Sequence, residues 1–192
     1  MSLSPQFAPK RVLFVLLASL VAAGLVVVVM GVLGEYTKTR GRLLLTALSL
    51  SGLSLLALPP SVLAQRTNYP YWGFAGVVIA GVAYLLIAGG IWGTPDSDGY
   101  WKAAGIASIA AGSLAQLCWL LLMTPRDVMA RAAWLTAGFA AGVLPVVAGI
   151  AIIAEISSAP FWWSVTVIVI VQVFSGLAAP ILNRWPTRSL MP

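Results

Sequence analysis

An all-α, polytopic integral membrane protein, a bundle of six transmembrane helices with short loops, is the fold class predicted by three observations. Hydrophobic residues fill 60% of the 192 positions, and charged residues only 8%. The apolar residues gather into long runs, and the basic and aromatic residues collect at the edges of those runs. A soluble domain carries about 25% charged residues because water must solvate its surface. Eleven cations and five acids are too few to coat a water-soluble globule of this length, but they suit a surface that is mostly lipid. Mean hydropathy is +0.98.

The first run, 12–33, follows Lys10-Arg11 and contains 22 apolar or small residues. A signal-peptide core is about 7–15 residues long, so this one reads as a retained span. The second, 43–58, is short before Pro59-Pro60 and reaches 64 only with a distorted last turn; a re-entrant segment is the alternative. The third (72–92), fourth (103–123), fifth (132–154) and sixth (161–182) each cross a hydrocarbon core of about 30 Å at 1.5 Å per residue. Strands are excluded because runs such as 165–171 are apolar on both parities, whereas a membrane barrel alternates. A helix satisfies its backbone within one segment, as lipid demands. The whole chain reads as one transmembrane domain, with no room for a separate catalytic module.

The connections are short: 34–42, 65–71, 93–102, 124–131 and 155–160. The stretch 34–42 (GEYTKTRGR) reads as a polar turn, with Gly41 just before the second helix. Six of the eight tryptophans sit at predicted edges, where an amphipathic ring prefers the headgroup level. With six spans, seven Lys and Arg fall on the side of both termini and four (Lys38, Arg40, Arg42, Lys102) on the other. The positive-inside rule then puts both termini in the cytoplasm, in the cell (inner) membrane. Hairpin starts recur about every 60 residues, and that shift pairs Arg42 with Lys102, Ala47 with Ala107 and Gly52 with Gly112. Transport proteins are often built from such repeats.

Small residues crowd the spans, and Gly138 and Gly142 form a G-x-x-x-G in the fifth. Small side chains let helices approach closely in lipid, within one chain or against a partner. A polar stripe in the second span holds Thr46, Ser49 and Ser54, with Ser51, Ser61 and Gln65 beside it. These groups either bond to the preceding turn or line a polar path. Gln116 and Gln172 are intramembrane amides that can clamp the fourth span to the sixth. Glu155 is the acid closest to membrane depth, an interfacial residue or an ion-coupling one. Pro145 and Pro180 are expected to kink their helices.

Much chemistry is excluded. The chain has no histidine and one cysteine, so haem or chlorophyll held by His, a His proton relay, and Cys-x-x-Cys sites are ruled out. No phosphate-binding glycine loop is present. Asp96 and Asp98 form an Asp-x-Asp pair in a turn, weak as a metal-dependent catalytic site. The net charge of +6 is scattered at span edges, which fits anionic lipid rather than nucleic acid. No cofactor, metal or catalytic residue is expected. The sequence thus points to a non-catalytic accessory or scaffold subunit of a larger membrane complex, whose partners are the lipid bilayer and other membrane subunits or itself. A small-solute or ion transporter or channel is the alternative.

Overall fold

The computed structural model describes residues 38–66, 69–125 and 128–184, together with Phe14, Ala18, Val21, Gly24, Leu25 and Val28. All regular structure among these residues is helical. The helices are α1 (Lys38–Leu63), α2 (Pro70–Gly93), α3 (Asp98–Leu121), α4 (Val128–Ile153) and α5 (Ala159–Arg184). Among the described residues, five helices are therefore long and apolar enough to cross a membrane. The sequence predicts six; its first span, 12–33, lies largely outside the described residues, and the six residues of it that are described are helical and exposed.

The second predicted span needs correction at its start. The helix begins at Lys38, so 38–42 is its first turn rather than a loop, and Gly41 is buried inside it. It runs through Pro59 and Pro60 to Leu63, one residue from the expected end at 64. The sixteen residues 43–58 rise only about 24 Å, short of the hydrocarbon thickness of about 30 Å. Extension through the basic end is cheap because long cationic side chains reach back to the headgroups. Extension through the prolines forfeits two backbone bonds but keeps a helical φ. Unwinding that turn in lipid would strand more groups than it frees. Pro145 and Pro180 likewise lie within continuous helices.

What is buried and what is exposed are inverted relative to a soluble protein. The buried residues of α2 are Gly73, Gly76, Ala80, Ala83 and Gly90. Those of α4 are alanines and a glycine, with Leu144 the exception. Large side chains point outward: Leu85 is 69% exposed, Phe139 76% and Phe174 69%. In water this arrangement would aggregate. In lipid the tails are as apolar as leucine, so helices associate through close backbone approach, and small residues belong inside.

The chain forms two compact units, Met1–Ala115 and Gln116–Pro192. In the first, α1 packs along α2. Leu53, Ala80, Ala83 and Ala111 form its core, with Leu56, Ile79, Tyr84 and Ile87 packed against it. The tightest approach is at Gly73, where an added Cβ would lie 2.6 Å from both the Ala64 Cα and the Pro60 carbonyl oxygen. Pro70 opens α2 at a position where a missing N–H costs nothing. In the second unit, α4 packs along α5. Leu120 and Ala137 are buried together beneath Ala133 and Trp134. The Trp134 indole N–H donates to the Leu120 carbonyl at 2.8 Å, tying α4 to the end of α3.

Candidate functional site

Four hydroxyls of α1 bond to their own helix. Thr46 Oγ1 donates to Arg42 O at 2.8 Å, and Ser49 Oγ to Thr46 O at 2.9 Å. Ser51 reaches Ala47 O at 2.8 Å and Ser61 reaches Leu58 O at 2.7 Å. Such back-bonding hides a hydroxyl from lipid without a second helix. Thr46 has a further role: its Oγ1 accepts the Trp92 indole N–H at 3.0 Å, which fastens the end of α2 to the start of α1. Ser54 is buried in the same helix. Gln65 lies past the helix end and donates to Ser61 O at 3.1 Å.

The two intramembrane glutamines do meet, though not amide to amide. Gln116 Nε2 donates to the main-chain oxygen of Gln172 at 2.7 Å. Gly176, one turn further along α5, makes this possible, because a Cβ there would collide with the Gln116 amide. Gln172 itself is 5% exposed, and its Oε1 has no hydrogen-bond partner among the described residues. Ser113 Oγ in the first unit is similarly unmatched. A buried unsatisfied acceptor costs about 1–3 kcal/mol, so Gln172 is the residue here that packing alone explains least.

Glu155 is exposed and lies just beyond α4, with φ 54°. The Ile156 N–H donates to Ala151 O at 3.0 Å across it, the bond pattern of a helix end that usually takes glycine. Asp96 and Asp98 are both exposed at the α2–α3 connection. Among the described residues no three His, Cys, Asp or Glu side chains come together as a metal site. Asp98 instead sits in the first turn of α3, where an acid complements the helix dipole.

Among the described residues, little packs closely on the G-x-x-x-G of α4. A Cβ on Gly142 would meet nothing within 4 Å, and one on Gly138 only the tip of Leu120 at 3.9 Å. Gly142 lies in an outward stripe with Leu135, Phe139 and Val146, which are 56%, 76% and 58% exposed. A shallow groove at the start of α5 is lined by Ala159, Trp162, Trp163 and Thr166.

Three contacts escape a reading of the sequence: the backbone approach at Gly73, the unmatched Gln172 acceptor, and the indole bonds that close the turns. Trp101 donates to Pro95 O at 3.1 Å and Trp162 to Ile156 O at 2.8 Å. No protein-family model, curated protein or solved structure matches the chain, so its residues carry the functional argument alone.

Proposed function

We propose that this chain is a non-catalytic accessory or scaffold subunit of a larger membrane assembly. One observation carries the reading: the exposed Gly142 of the α4 G-x-x-x-G, which no described residue covers. A glycine inside a helix costs about 1 kcal/mol relative to alanine. Gly142 recovers nothing for that cost within the described chain, since no side chain or backbone comes near it. A helix from another subunit, or from a second copy, would recover it by close approach. The back-bonded hydroxyls of α1 support the same reading, because each is accounted for without a solute path. In this proposal the run 12–33 is a sixth span, both termini face the cytoplasm, and the host is the cell (inner) membrane. The partners are lipid and other membrane subunits, with no cofactor.

A transporter or channel is the second reading. It is favoured by the unmatched acceptor of Gln172 beside Gln116. The docking reading is tested by a photo-reactive residue placed at Phe139 in cells, with the same residue at Leu55 on α1 (59% exposed) as control. Irradiation is expected to give one discrete protein adduct from position 139 and only lipid adducts from 55. Lipid adducts alone at both positions contradict the proposal.

A further inference from the structure

Two helix–turn–helix segments of this chain share the same tryptophan latch at their turns, although the main-chain bonds at the ends of their incoming helices differ. In the first, α2 gives way to Thr94 at φ 43°. The Trp101 indole N–H donates to Pro95 O at 3.1 Å, and the Trp101 main-chain N–H to Ser97 O at 3.4 Å. The ring meets Tyr100 edge-on, at 5.7 Å and 85°. In the second, α4 gives way to Glu155 at φ 54°. The Trp162 indole N–H donates to Ile156 O at 2.8 Å, and its main-chain N–H to Ser158 O at 3.3 Å. The ring meets Phe161 edge-on, at 5.8 Å and 90°. Every member of one set is displaced from its counterpart by 61 positions.

The turn fixes this register independently of the helices, and the helices then agree with it. On the incoming helices, Gly76, Ala80 and Ala83 are buried, and so are Ala137, Ala141 and Leu144. On the outgoing helices, Ala104, Ala111 and Ala115 are buried, and so are Val165, Gln172 and Gly176. Gly81 and Gly142 coincide as outward glycines with nothing within 4 Å of either. The match is not complete, since Ser113 is buried and Phe174 exposed. α1 extends the series: it begins at Lys38, 60 positions before Asp98, and its buried Ser51 precedes Ala111 by the same interval.

Coincidence is a poor account of the turns. A non-glycine residue at positive φ is uncommon, and a β-branched one is an outlier. Thr94 and Glu155 are the non-glycine residues at positive φ among those described, and each stands seven residues before a tryptophan bonded back into its own turn. We infer that the chain is a tandem array of one helical hairpin, closed each time by the same latch: a left-handed residue reverses the chain, and an indole N–H locks the turn. Comparing the copies also separates packing from addition. Ala111 serves the first copy where Gln172 stands in the second, so the hairpin itself does not require that amide.

Equivalent substitutions must then have equal signs. In the full chain in detergent, Thr94→Gly and Glu155→Gly should each raise Tm by ~2–4 °C, because both remove a Cβ penalty at positive φ. Trp101→Phe and Trp162→Phe keep the ring, lose the N–H, and should each lower Tm by a similar amount. Replacing residues 94–101 with the sequence of 155–162 should leave the chain folded. Opposite signs within either pair, or a response in one copy and none in the other, overturn the inference. Should a tryptophan variant fail to extract, the glycine pair decides alone: a rise in both supports the repeat, and any other pattern overturns it.

Discussion

Gly73→Ala is expected to destabilise the first unit by about 1–3 kcal/mol, the range for overpacking a filled site. The obstacle is backbone rather than a movable side chain: the new methyl would lie 2.6 Å from the Ala64 Cα and from the Pro60 oxygen. Those atoms belong to the last turn of α1, where the proline pair has already removed hydrogen bonds and limits adjustment. To admit the methyl, α1 and α2 must separate along the seam that buries Leu53 against Ala80 and Ala83. Gly81→Ala is the matched control. It adds the same methyl to the same helix, in open space, and should be neutral or stabilising by up to about 1 kcal/mol through helix propensity. Unfolding in mixed micelles, followed by circular dichroism, separates the two. Equal midpoints for Gly73→Ala and the unmodified chain would show that the close approach does not hold.

Leu120→Ala should cost about 2–5 kcal/mol, through lost contacts and the cavity left behind. Leu120 is 1% exposed, an unusually large side chain for the interior of this protein, and it fills the space between Ala133, Trp134 and Ala137. Its neighbours are mostly alanine methyls on regular helix, which cannot collapse far into a void. The same truncation at Leu48 (48% exposed) leaves no enclosed cavity and should change stability much less. Hydrogen exchange should show the loss first as faster opening of α4 and α5. A Leu120 variant as stable as the Leu48 variant would contradict this account of the second unit.

These two sites illustrate what the sequence discloses. Runs of apolar residues announce spans because hydropathy is additive, so all five described helices fall within a few residues of expectation. The start of α1 is less legible, because its first turn is built from basic residues that read locally as a loop. The glycines of α4 are legible as small residues, but a sequence does not say how a helix is rotated about its axis. Only the structure shows Gly142 facing outward while Gly73 faces a neighbouring backbone. Gln116 and Gln172 are legible as a pair, yet the bond runs to a main-chain oxygen, since Gly176 opens a path to the backbone. The tryptophans read as interfacial anchors, and their N–H groups prove to be turn locks as well. The signal was present as Ser-x-x-aromatic-Trp at 97–101 and again at 158–162, one residue off the 60-residue interval.

The chain ties polar groups to its own helices and leaves Gly142 open. Hydroxyls that bond to their own helix leave little for a solute to use. An uncovered glycine face in lipid leaves a place for another helix. The mass of the complex released by gentle detergent extraction from its native membrane tests this most directly. The docking account predicts a discrete assembly, heavier than the 20.1 kDa chain and fixed in its ratio of subunits. A lone chain at 20.1 kDa, under conditions that preserve other membrane complexes in the same extract, would contradict it.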